Sequence, residues 1–301
     1  MEIHPWMTDL LDPNRKTICL YHNDPDGCCS AAIVRRAFGP SLVLQPLEIG
    51  DPVPWEAIRA CRQVVLADYS LRQEDMQQLR DGQLLVWIDH HKSSLEQLGP
   101  AMAEVPGERE DGTAACVLTW RTFFPDRPVP QAVQLIGDRD VWRMQFPETR
   151  AFSEGLHQLD LNPAKDDPWG PLLDDDRARL QELTERGRLL YDARMAGIAD
   201  SVARYGFETV FEGHRTLAIN HRGNGDMGEY IRQAGYAVAY CYAETVRAGR
   251  LQTVVTLYSD EVDVSEIAGK YGGGGHRGAA GFQLTRGDRP FPQGSEGSLS
   301  G

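Results

Sequence analysis

The stretch ICLYHNDPDGCCSAA, residues 18–32, decides how this chain folds. Its short, continuous apolar run suits a buried strand, and the small residues after Gly27 suit a helix. Between them His22, Asp24 and Asp26 stand at alternate positions. A strand that ends in a histidine and two aspartates points to polar groups gathered at one end of a sheet. Other strands should then supply partners for them.

Three more apolar runs follow, LVLQPLEI, QVVLADY and LLVWID, each short and apolar without alternation. CCSAAIVRRAF and RQEDMQQLR, which lie between these strands, read as helices. This alternation predicts an α/β fold with a parallel sheet and right-handed crossovers. Two further helical segments, TAACVLTWRTFF and PQAVQLIGDRD, come next. The Pro- and Asp-rich stretch NPAKDDPWGPLLDDD marks a boundary, and a charged helical stretch from about Arg177 to Tyr205 reads as a connector. Strands resume at ETVFEG, RTLAIN, YAVAYCY and LQTVVTLYS. The expected organisation is a first domain at 1–165, a linker and connecting helix at 166–205, a smaller α/β domain at 206–286 and a disordered tail at 287–301.

With 301 residues, 41% of them apolar, the chain can build two cores. A net charge of −13 argues against a protein that coats nucleic acid nonspecifically. It does not exclude an acidic enzyme whose metal ions meet the phosphate. No segment has the apolar length of a membrane span, and the N-terminus lacks a signal-peptide layout, so a cytoplasmic location is expected. The six cysteines, at 19, 28, 29, 61, 116 and 241, follow neither zinc-site nor disulfide spacing and read as small buried residues.

Two other strands end as the first does, one in Asp68 and one in Asp89, His90 and His91. The carboxyl ends of the strands in an open α/β sheet form one rim, where ligands bind. A fourth acidic pair, Asp138 and Asp140, follows a helical apolar run. Any one of these features alone is commonplace, a D-x-D-G being most often a turn; their joint placement after consecutive strands carries the reading. Carboxylates collected at one rim repel unless cations neutralise them. Mixed imidazole and carboxylate donors favour Mn²⁺, Fe²⁺, Co²⁺ or Zn²⁺. The donors are too many for one ion and suit two, about 3.5–4 Å apart. His4, His157 and His214 have no such setting and read as structural. In GKYGGGGHRGAAGF, residues 269–282, the glycines let backbone N–H groups approach an anion, with Lys270, His276 and Arg277 adding charge, and GAAG suits a helix start.

HNDPDG, Asp68 in LADYS, DHH at 89–91 and the Asp138 region resemble, in that order, the four motifs of the DHH phosphoesterase superfamily. GGGGHRGAAG resembles the signature of its associated C-terminal domain. The resemblance runs from about residue 17 to 284 and lies nearest the RecJ-like and nano-RNase-like branches. It implies a parallel-sheet catalytic domain, a smaller substrate-binding domain and two Mn²⁺ ions, with Mg²⁺, Co²⁺ or Fe²⁺ as substitutes. His22 and Asp24 would hold the first ion, Asp26 the second, and Asp68 both, with His90 and Asp138 completing the shells. Of the two late aspartates, Asp138 is preferred to Asp140 from its position after the apolar run. His91 would sit by the scissile phosphate as a polarising or proton-donating group, and Asp89 would orient a histidine. Gly272, Gly273, Gly274, Gly275, His276 and Arg277 would grip the far phosphate or base. The spacing H-x-D-x-D departs from the H-x-x-x-D-x-D of many members, which would put histidine at Leu20. The implied activity is hydrolysis of short oligonucleotides, linear dinucleotides or 3′-phosphonucleotides, because no basic track suits long strands. Pyrophosphatase or exopolyphosphatase chemistry and a noncatalytic scaffold are the alternatives, and a homodimer stays open.

Overall fold

The computed structural model describes residues 15–247 and 250–285. Packing divides the chain into two compact units, with the division between Tyr191 and Asp192. The first unit begins β1 (Thr17–His22), α1 (Pro25–Phe38), β2 (Val43–Leu47), α2 (Trp55–Arg59), β3 (Gln63–Ala67), α3 (Gln73–Gly82), β4 (Leu84–Ile88) and α4 (Lys92–Leu98). The four strands are parallel, in the order β2-β1-β3-β4.

Their register puts Cys19 beside Val65 and Val65 beside Val86, so side chains of like parity share a face. Cys19, Tyr21, Val65, Ala67, Val86 and Ile88 pack with α1 and with α5 (Ala115–Phe123), α6 (Gln131–Asp140) and α7 (Thr149–Leu156). Ile18, Leu20, Val64, Leu66, Leu85 and Trp87 pack on the other face with Ile58, Met76 and Leu79. Each such side chain contributes about 1.5–3 kcal/mol when fully buried. Helices on both faces explain why the strands read as continuous apolar runs. The chain leaves β1 for β2 on one side and then returns to β3 on the other. The order therefore reverses at β1 and β3, and the carboxyl ends there flank the switch point.

The expected linker is not free of the cores. Trp169, Leu172 and Leu173 of α8 (Trp169–Leu173) are buried in the first unit, together with Leu183 of α9 (Arg177–Tyr205). Further along α9, Ile198 is buried with Leu217, Ile219 and Met227 of the second unit. Apolar residues spaced along this charged helix thus serve two cores in turn.

The second unit contains β5 (Gly206–Phe211), β6 (His214–Asn220), α10 (Gly225–Gln233), β7 (Val238–Arg247), β8 (Arg250–Tyr258), α11 (Val264–Lys270), β9 (Gly274–His276) and β10 (Ala279–Thr285). Its mixed sheet has the order β5-β6-β7-β8-β10-β9. The GAAG stretch, expected to start a helix, instead enters β10. Ala279 to Thr285 pair antiparallel with β8, and Ala280 and Phe282 face the core. A period of two in burial overrides the small-residue cue.

All six cysteines are free and buried. Burial pushes the Cys28 thiol up to about 12, which suits packing rather than nucleophilic chemistry. No helix among the described residues is long and apolar enough to cross a membrane. His4 and the expected tail at 287–301 lie outside the described residues.

Because Leu183 is fully buried in the first core, Leu183→Ala should destabilise the protein by about 3 kcal/mol. A urea unfolding curve would show the lower midpoint; an unchanged midpoint would mean that this part of α9 does not belong to the core.

Candidate active site

Four segments deliver the polar groups to one rim: the ends of β1, β3 and β4, and the last turn of α6. The local sequence explains the first. Asp24 is the N-cap of α1, its Oδ1 accepting from the Gly27 N–H at 2.8 Å, and Pro25 supplies a first helical residue that needs no N–H partner. An added Cβ at Gly27 would lie 2.0 Å from the His22 carbonyl oxygen, so only glycine allows this tight strand-to-helix turn. The other carboxylate oxygen of Asp24 lies 2.9 Å from His22 Nδ1. Their pairing raises the His22 pKa, and it holds that of Asp24 down against the opposing effect of burial.

Asp26, one turn into α1, is buried and reaches the start of α5. Its two oxygens accept from the Ala115 and Cys116 N–H groups, each at 2.8 Å. Two otherwise unpartnered helix-terminal donors thus fix this carboxylate in place.

Asp68 follows β3 with φ +57°, a left-handed conformation that aspartate tolerates better than most residues. Its N–H donates to Ile88 O at 3.0 Å. The side chain is only 2% exposed, with Oδ2 3.8 Å from His22 Nδ1 and Oδ1 3.3 Å from His90 Nε2. Oδ1 is buried without a hydrogen-bond partner. Desolvation, and then repulsion from Asp26, Asp24 and Asp140, raises the Asp68 pKa well above the usual carboxylate range.

Within DHH the three side chains differ. Asp89 is fully buried and accepts from the His90 N–H at 2.7 Å, the His91 N–H at 3.1 Å and the Ser70 hydroxyl. Its Oδ1 also lies 2.7 Å from His91 Nδ1. The His90 Nε2 faces Asp26, Asp68 and Asp140 at 3.8, 3.3 and 3.5 Å. Burial lowers the His90 pKa, whereas the bond to Asp89 raises that of His91, whose side chain is 46% exposed.

In the fourth motif the structure separates the two aspartates. Asp138 turns away from the rim and holds the loop after α6, accepting from the Gln145 N–H at 2.9 Å, the Phe146 N–H at 3.3 Å and the Thr149 hydroxyl at 2.5 Å. Asp140 is the aspartate that faces His90. Two residues along a helix rotate a side chain by more than half a turn, so the pair cannot share one direction. Burial, with Asp26 and Asp24 nearby, pushes the Asp140 carboxyl up to about 9.

Three sets of side chains have donor atoms within 4.8 Å of one another and could hold a metal: His22, Asp24 and Asp68; Asp68, His90 and His91; Asp26, His90 and Asp140. The unsatisfied Asp68 oxygen and the mutual repulsion of the carboxylates fit divalent cations. Sequence reasoning missed Ser70, which accepts from Trp87 Nε1 at 3.1 Å and donates to Asp89, and Glu48, 3.6 Å from His22 Nε2. Ser70 lies in the LADYS motif and was open to being found; Glu48 needed the alignment of β2 beside β1.

The glycine segment lies in the second unit. The Gly272 and Gly273 N–H groups donate to Gly269 O and Ala268 O and close α11. Gly274 to His276 pair with β10, where an added Cβ at Gly273 would lie 2.1 Å from Gly281 O. Close strand pairing therefore accounts for part of the glycine run. His276 and Arg277 are exposed, with Arg277 Nη1 3.9 Å from Asp263 Oδ2.

No family model matches the chain. The DHH domain of PF0399, described as a member of a family of ribosomal proteins, superposes with a TM-score of 0.56 at 16% identity, covering 91% of this chain and 84% of the other. Exonuclease RecJ bound to manganese superposes at 0.51 with 14% identity, covering 93% and 88%. The chain thus shares the fold of these two structures, a DHH domain and RecJ, which is the fold that the ordered motifs lead one to expect. Among curated sequences, oligoribonuclease NrnB of Bacillus subtilis (strain 168) is 23% identical over 288 residues, 88% of this chain and 72% of that protein. An uncharacterized mimivirus protein, R106 of Acanthamoeba polyphaga mimivirus, is 24% identical over 254 residues, 76% of this chain but only 55% of its own length.

The distinct surroundings of Asp138 and Asp140 can be separated experimentally. Asp138→Ala removes the acceptor for three donors and should cost roughly 2–4 kcal/mol, lowering Tm by several degrees. Asp140→Asn removes a repelled carboxylate and should leave the metal-free Tm unchanged or higher while weakening Mn²⁺ binding. Thermal scans with and without Mn²⁺ check both, and equal losses of Tm for the two variants would refute this division of roles.

Proposed function

We propose that this protein is a divalent-metal-dependent phosphoesterase that hydrolyses phosphodiester bonds in short oligonucleotides or linear dinucleotides. The buried Asp68, with one oxygen toward His22 and the other toward His90, carries the reading. His22, Asp24 and Asp68 would hold one cation, and Asp68, Asp26, His90 and Asp140 a second. When bound, two such cations supply Lewis acidity at phosphorus and make water easier to deprotonate. Mn²⁺ suits the mixed imidazole and carboxylate donors, and the manganese named for the RecJ structure supports that choice.

The remaining work belongs to the chain's own side chains. Asp89 holds His91 through Nδ1, so Nε2 is the ring nitrogen of this half-exposed side chain left to meet substrate. Protonated there, His91 would hydrogen-bond a phosphoryl oxygen and donate its proton to the departing alkoxide as the P–O bond breaks. The water that adds to phosphorus returns a proton to the imidazole, so the cycle balances. Asp89 acts through His91 as a positioning residue, and Ser70 fixes Asp89. Gly272–Gly275, His276 and Arg277 are proposed to contact the substrate's far phosphate or base.

The oligoribonuclease name of the NrnB relative supports short RNA as a substrate. The net charge of −13 is consistent with a substrate whose phosphate is met locally rather than along a basic track.

Equilibrium dialysis should find two Mn²⁺ per chain, and the protein should hydrolyse a diribonucleotide in preference to pyrophosphate or polyphosphate. Asp68→Asn should lower kcat by at least roughly 100-fold without lowering the metal-free Tm. A wild-type protein that binds no Mn²⁺ at neutral pH, or that cleaves only polyphosphate, would overturn the proposal. For His91, substitution by Ala should reduce kcat far more than KM, and equal changes in both would argue for a binding role instead.

A further inference from the structure

A cleft of about 580 Å³ within the first unit opens directly off His22, Asp68 and His91. This volume falls within the range of small-molecule sites. One part of its lining is apolar: Ile49, which is 91% exposed, with Val53 and the half-buried ring of Tyr69. The Tyr69 hydroxyl donates to Glu48 O at 2.9 Å, which fixes the ring at the mouth of the cleft near His22. The charged lining away from the rim consists of Asp51, Asp75 and Arg72. Arg72 Nε already donates to Asp75 Oδ2 at 3.1 Å, and Asp51 Oδ2 accepts from the Glu48 N–H at 2.9 Å.

We infer that this cleft is a nucleoside subsite: the base next to the scissile phosphate packs on Ile49 and Tyr69, and substrates with no flat organic group there are disfavoured. The inference rests on the phosphodiesterase reading and adds the group that the site selects. Two observations separate a base from the other candidate, a further phosphate. Two carboxylates against one guanidinium, itself paired, repel an added anion. An exposed isoleucine and a tyrosine held by its hydroxyl, both lining the cleft, offer apolar surface to a planar ring, and the tyrosine has little side-chain freedom left to lose. Discrimination then comes from contact with a base that every nucleotide carries, so the subsite is tolerant of sequence and intolerant of an absent base.

The test pairs a change in the protein with a change in the substrate. Ile49 is exposed and outside the metal-binding set, so its substitution leaves the fold and the rim intact. Ile49→Ser should raise KM for a diribonucleotide roughly fivefold or more, with kcat within about twofold, while Ile49→Val retains the wild-type KM. An abasic dinucleotide, lacking both bases, should already show the higher KM with the wild-type enzyme, and Ile49→Ser should leave that value unchanged. Equal KM increases on both substrates, or none on either, would overturn the subsite while leaving the phosphodiesterase reading standing. Failure of the wild-type enzyme to cleave any phosphodiester would instead overturn that reading and the subsite with it.

Discussion

The buried carboxylate of Asp68 is the constraint around which the first unit is organised. It sits where desolvation and the neighbouring aspartates all oppose its ionisation. Two like charges about 4 Å apart repel by about 4 kcal/mol at an effective dielectric constant of about 20. Such a cluster persists only because the backbone leaves it no alternative. Four parallel strands end at one level, and at the end of β3 the chain adopts a left-handed turn that directs the two oxygens of Asp68 toward side chains from β1 and β4. Strain at a site of crowded charge is expected where geometry serves chemistry rather than stability.

The carboxylates of the rim also divide fold and function between them. Asp24 uses one oxygen to cap α1 and turns the other toward His22. Asp26 commits both to the first N–H groups of α5 yet stays within 3.8 Å of His90. Asp89 is taken up by its own loop, by Ser70 and by His91. Asp68 has only the site, and the unpartnered Oδ1 is the result. A cation at the rim would therefore find donors already oriented by helix starts and strand ends, with little reorganisation required of them.

Much of this was legible in the sequence because the fold rests on short-range patterns. The four strands of the first unit, the helix through CCSAAIVRRAF and the gathering of Asp68 with His90 followed from continuous apolar runs and the parallel-sheet rule. The choice between Asp138 and Asp140 was not legible, since both lie in the last turn of α6. What separates them is the loop at 145–149, whose N–H and hydroxyl donors claim Asp138. The role of α9 was hidden for a related reason: its apolar residues are sparse, and only tertiary packing shows Leu183 and Ile198 in different cores. The strand at Ala279 was obscured by its small residues, which carry no strong preference of their own.

The adjacent histidines show how one backbone segment can prepare two opposite behaviours. Their rings are 4.6 Å apart, yet His90 turns Nε2 inward to three carboxylates while His91 turns Nδ1 back to Asp89. Burial lowers the pKa of the first, and the bond to Asp89 raises that of the second. Neighbouring groups driven apart in this way are commonly those with separate acid and base duties. A neutral imidazole is a metal donor, and a protonated one is a donor to a phosphoryl oxygen. Exchanging the two roles would require Asp89 to release two backbone N–H groups and Ser70 at once. The proposed assignment, ligand at His90 and proton donor at His91, thus follows from where the loop's own hydrogen bonds leave each ring free to act.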